Sequence, residues 1–188
     1  MASSALHLPS KSIDDILRVA KSRGYTNHGE LFSASWLSEL AHELWPTVSC
    51  VAAKFPSKDK LVKLLVQGSL ILIPYDCDRN HEPTCRHGHS AHWCIIVGYL
   101  CPKAGLDSVS WVNTIPEDTN NLYVFALHGK SRHCALWDYD SLLKSNANLF
   151  EVSPKRLKDN EKYVVPEEGL SALRGQCVIV SLSHAIVE

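Results

Sequence analysis

Apolar positions follow two regimes along this chain. Up to Gln67 most recur at helical spacing, and from Leu70 onward they gather into short continuous runs. Ile13, Ile16, Leu17 and Ala20 mark one face of a helix that Ser12 can cap and Gly24 ends, with Asp14 and Asp15 complementing the dipole of its first turn. Leu37, Leu40, Ala41 and Leu44 mark a second helix, begun by Ser33 or Ser35 and stopped by Pro46. A third spans Asp59 to Gln67, with Leu61, Leu64 and Leu65 inward and Gly68 just past its end. Val48 to Ala53, between the second and third, reads as a strand. Ala2 to Leu8 reads as the tail of an apolar helix that Pro9 ends after fewer than three turns. So short a piece is marginal alone, and the expectation is that an element preceding Met1 is cut short.

The second regime begins with Leu70 to Ile73, a branched run too short for a helix. A polar loop covers Asp76 to Ala91, and His92 to Leu100 is a second buried strand. Cys101 to Asn121, with Pro102, Gly105 and Pro116, reads as a surface excursion. Leu122 to Leu127 and His133 to Trp137 form a hairpin about the Gly129-Lys130-Ser131 turn. Asp138 to Ser145 is one helical turn or two. Tyr163 to Val165, held to an edge by Pro166, and Cys177 to Leu182 are the last strands. Helices first and antiparallel strands afterwards predict an α+β fold. At 188 residues a single domain over 1–188 is expected.

Composition narrows the class. Apolar residues make up 45% and charged residues 21%, with a formal net charge of −1, so the overall field points to neither nucleic acid nor an acidic membrane surface. No apolar run approaches the ~20 residues of a membrane span, and the expected location is cytoplasmic. Seven cysteines at irregular spacing, without a secretion signal, predict reduced thiols.

Candidate chemistry concentrates where the loop meets the second strand. His92 stands at the mouth of that strand, a place suited to an oriented general base. The density of His81, Glu82, Cys85, His87, His89 and His92 invites a zinc reading. The spacing Cys85-x-His87-x-His89 lacks the paired short intervals of a zinc ribbon, so no metal ligand is assigned. Asp138 follows the end of a strand. If that strand ran antiparallel to His92–Leu100, its carboxylate would accept the imidazole N–H, with Asp140 as the alternative. Capping the following turn is an equally ordinary use of Asp138. Cys94 shares a strand with His92 and cannot easily reach it. Cys177 leads straight into Val178-Ile179-Val180 and reads as a buried thiol. A base is evident; a nucleophile is not.

Leu72-Ile73-Pro74-Tyr75-Asp76, Asn80-His81-Glu82-Pro83, Gly88-His89-x-Ala91-His92-Trp93, Gly129-Lys130-Ser131, Leu136-Trp137-Asp138-Tyr139, Ser145-Asn146 and Tyr163-Val164-Val165-Pro166 together resemble the actin maturation protease family. The resemblance implies a papain-like cysteine peptidase fold and removal of the acetylated N-terminal residue from immature actin, with no cofactor. It implies His92 as base and Asp138 as its orienter. It also implies a Gln-Cys-Gly segment opening a helix upstream, a nearby glutamine as oxyanion donor, and, in longer members, a proline-rich tail that engages profilin. This chain begins at a point resembling the middle of that helix, so the alternatives are a non-catalytic variant that binds actin N-termini or, further off, a zinc module on the 81–92 loop.

Overall fold

The computed structural model describes residues 2–102, 114–154, 156 and 163–182. The helical periodicity of the first third is realised as α1 (Ala2–Ala5), α2 (Ile13–Ser22), α3 (Ala34–Leu44) and α4 (Lys58–Val66). Serine starts three of them. Ser12, Ser33 and Ser57 accept hydrogen bonds from the backbone N–H groups of Asp15, Trp36 and Lys60, filling donors that a first turn leaves free.

The apolar runs form one six-stranded antiparallel sheet, from β1 (Val48–Lys54), β2 (Leu70–Asp76), β3 (Ala91–Leu100), β4 (Tyr123–Leu127), β5 (Ala135–Asp138) and β6 (Gln176–Leu182), in spatial order β1-β6-β2-β3-β4-β5. The α+β layout is thus as expected. Tyr163 to Val165 is extended chain outside the sheet, not a strand. The helical turn after Asp138 is a full nine-residue helix, α5 (Tyr139–Ala147). Of the expected excursion after β3, the described residues carry neither helix nor strand, and 103–113 lie outside the described residues.

β2 is continuous in apolarity because both its faces are covered. Ile71, Ile73 and Tyr75 enter a core with Leu61 and Val62 of α4, Leu142 of α5, and Cys94 and Ile96 of β3. Leu70 and Leu72 face the opposite way, toward Ala34, Val48, Val178, Val180 and Leu6 beyond α1. Each large side chain fully buried in this way contributes roughly 1.5–3 kcal/mol.

Pro74 lies inside β2, where a proline cannot donate to a ladder. The pairing of β2 with β6 stops at Leu72↔Val178. Beyond it the side-chain amide of Asn146 enters the gap and donates to the carbonyls of Pro74 (2.8 Å) and Gln176 (3.1 Å). A buried asparagine from α5 thereby replaces the ladder that Pro74 cannot continue.

Candidate active site

Asp76, at the end of β2, is fully buried. Its carboxylate is satisfied by the loop it introduces, accepting the backbone N–H groups of Arg86, Gly88 (3.1 Å) and Ser90 (3.2 Å). Ser145 of α5 fixes the backbone of Asp76, receiving its N–H at 2.9 Å and donating to its carbonyl at 2.7 Å. Three N–H groups aimed at one buried carboxylate determine the path of Cys77–Ser90, and so where β3 begins. Gly88 tightens the same turn at φ +93°, where a Cβ would meet Leu170 at 2.7 Å.

His92 emerges from that turn on β3, opposite Tyr75 of β2. Its Nε2 lies 2.8 Å from the main-chain oxygen of His128, one residue past β4. A carbonyl only accepts, so Nε2 carries the proton and Nδ1 keeps the lone pair. Burial lowers the basicity of His92. The bond to the His128 carbonyl opposes this, and Lys130, His81 and His128 add to it. The result is a half-buried neutral imidazole with one fixed tautomer and a free basic nitrogen.

A cleft of about 330 Å³ lies against His92, with His28, Leu31, Phe32, Trp93, Arg156 and Tyr163 among its walls. Trp93 donates from its indole to the Leu31 carbonyl at 3.0 Å, tying β3 to the segment before α3. Glu30, also in the wall, is turned to structure. Burial would raise its pKa, but the N–H groups of Asn27, Val164 and His28 outweigh it and hold the carboxyl below the ordinary value. The guanidinium of Arg156 rests over the rings of Phe32 and Tyr163, 5.8 and 5.7 Å from their centroids.

Away from the cleft lining, a second wall of rings surrounds His92. Tyr75 meets it edge-on at 6.0 Å and His81 lies 5.8 Å away. His81 stacks on His128 at 5.3 Å, and His128 stacks on Trp137 of β5 at 5.8 Å. Sequence reasoning named neither Tyr75, His128 nor Trp137 as part of the site. The available signal for His128 was its place between a strand end and the Gly129 turn.

The structure does not bring Asp138 to His92. The antiparallel relation between β5 and β3 that such a contact requires does not occur. β4 lies between them and pairs antiparallel with both, so β5 runs parallel to β3. Asp138 aligns through Tyr123 with Leu100, at the far end of β3. That is roughly 25 Å from His92 at ~3.3 Å per residue. Asp138 instead caps α5, accepting the N–H and hydroxyl of Ser141 at 2.8 and 2.9 Å. Asp140 pairs with Lys58 at 2.9 Å.

All seven cysteines are free, and no described sulfur is hydrogen-bonded to His92. Cys77 approaches the ring cluster, with its sulfur 3.9 Å from Nδ1 of His81, and it donates to the Ser90 carbonyl. Burial raises the thiols of Cys77, Cys94 and Cys177, the last to about 12. These are inert core thiols, as expected for Cys94 and Cys177. Of the loop residues, His89 pairs with Glu151 at 2.7 Å, and among the described residues no three His, Cys, Asp or Glu side chains converge as a metal site.

A family model described as "Actin maturation protease-like, C-terminal domain" matches residues 1–100. The chain belongs to the actin maturation protease-like family. The actin maturation proteases of mouse and human are 34% and 35% identical to it over 96% of this chain, and that of Drosophila melanogaster is 37% identical over 92%. The chain spans 57%, 59% and 61% of the length of those three relatives. No solved structure matches.

Proposed function

We propose that this chain forms the base-bearing part of a papain-like cysteine peptidase that removes the acetylated N-terminal residue from immature actin. The observation that carries this is His92. Its Nε2 is tied to a carbonyl, its Nδ1 is left basic, and a cleft large enough for a peptide end adjoins it. The names of the relatives supply protease and actin; the cysteine type and the aminopeptidase detail rest on the family resemblance.

In this reading a thiol reaches Nδ1 of His92 and loses its proton to it. The thiolate attacks the carbonyl of the acetylated residue, and the imidazolium returns the proton to the leaving amine of the shortened actin. Water, deprotonated by the same nitrogen, then releases the acetylated residue and restores the thiol. None of the chain's seven thiols stands at that position in this structure. The reading therefore assigns the nucleophile to a thiol outside these residues, and places the protein in the cytoplasm with its substrate.

The test is cleavage of an acetylated actin N-terminal peptide by the protein as its gene encodes it, followed by mass spectrometry. Iodoacetamide is expected to abolish cleavage, and His92→Ala to lower kcat by about 10²–10⁴-fold. Cleavage that survives the alkylator, or an unimpaired His92→Ala protein, rules the reading out. The absence of a thiol at His92 favours a second reading, a non-catalytic binder of actin N-termini. Saturable peptide binding without cleavage would establish that one instead.

A further inference from the structure

Three imidazoles meet at the end of the sheet, and base chemistry uses only one. His81 sits at φ +64°, a left-handed conformation that costs a non-glycine residue energy. Its main chain is held there by Tyr75, whose hydroxyl donates to the His81 carbonyl at 2.8 Å. That conformation lays the His81 ring against His128, with 24° between planes, while His128 lies nearly parallel to Trp137 at 20°. His128 is 7% exposed, and its Nδ1 has no hydrogen-bond partner among the described residues. A buried nitrogen without a partner is a cost, retained here beside the one carbonyl that fixes the tautomer of His92.

We propose that His81 and His128 are positioning residues for His92. Stacked against Trp137, they hold the carbonyl that keeps the proton on Nε2, and a positive charge on either of them repels one on His92. The inference rests on His92 being the base of the site.

The electrostatics of the site leave this role to the stack. Around His92 the other groups are Tyr75 from β2, Lys130 from the β4–β5 turn, and His28, Glu30 and Arg156 across the cleft, with Cys77 behind His81. Glu30 is held ionised by its backbone donors. The remaining neighbours of His92 are the imidazoles of His28, His81 and His128. His81 and His128 are the two such groups stacked on the His92 side of the sheet, whereas His28 packs edge-on against Tyr163. A unit charge about 6 Å away in a half-wet site moves a titration by about 0.5–1 pH unit.

Imidazole nitrogen NMR on the 188-residue chain tests this without any peptidase assay, so its failure is separable from failure of the proposed activity. In the parent protein His92 is expected as the Nε2–H tautomer, with a midpoint that rises as salt is added. His81→Asn, which tolerates the left-handed backbone, should raise the His92 midpoint by about 0.5–1 pH unit and flatten its salt dependence. His128→Phe keeps a ring in the stack without a titrating group and should preserve the tautomer. His128→Ala should give a mixture of tautomers. An unchanged midpoint in His81→Asn, or a rise whose salt dependence stays as in the parent, overturns the charge linkage. A pure Nε2–H tautomer in folded His128→Ala overturns the positioning role.

Discussion

Asp76 contributes to the site without touching the cleft. A carboxylate with no exposure, facing three backbone N–H groups, acts on His92 by determining where the preceding turn closes. Asp76→Ala would leave those donors to find water or remain unpaired, at roughly 1–3 kcal/mol for each one unsatisfied. The expected outcome is a loss of about 3 kcal/mol in urea unfolding, with hydrogen exchange accelerated first across 86–90. A variant whose loss is confined to the far end of the sheet would contradict this assignment. Asp76 closes the Leu72–Asp76 signature, but nothing in the sequence shows that its carboxylate does more than that of any aspartate opening a polar loop. Its role depends on a chain path that only tertiary structure defines. His92 was legible because its signal is positional, a histidine where a polar loop becomes a buried run.

Among the elements, helices and strands were readable wherever burial is periodic or continuous, and misread where polar contacts decide. Tyr163 to Val165 has strand composition, but the N–H of Val164 is taken by Glu30 and not by a neighbouring strand. The direction of β5 was recoverable in principle. Two successive antiparallel steps, β3 to β4 and β4 to β5, return the chain to its starting direction. The alternation of the strand then makes Trp137, and not Asp138, the β5 residue that reaches the ring cluster. Asp138→Ala should accordingly behave as the loss of a helix cap. It is expected to cost about 1 kcal/mol through α5, while the titration of His92 stays where it was. A shift in that titration with α5 intact by NMR would restore Asp138 to the site.

For the molecule as a whole, buried imidazoles tie stability to pH. Burial lowers the proton affinity of both His92 and His128, and neighbouring imidazoles lower it further. The unfolded chain binds protons near the ordinary histidine value of ~6.5, where the folded chain resists them. Stability therefore rises with pH through that window and is lost as pH falls from about 6.5 toward the lowered folded values. Denaturant midpoints are expected to drop between pH 7.5 and 5.5, and His128→Phe should blunt the drop. An equal drop in that variant would assign the acid sensitivity elsewhere.

The order β1-β6-β2 has a consequence for synthesis. Among the described strands, the one between β1 and β2 is the last to leave the ribosome. Roughly a hundred residues separate the end of β2 from the end of β6, about 5–20 s of translation at ~5–20 residues per second. For that interval β1 and β2 each lack the neighbour that should lie between them, and apolar edges of this kind are what aggregation and chaperones both recognise. Completion of the sheet thus waits on β6, and the yield of this molecule in a cell depends on how well that waiting period is protected.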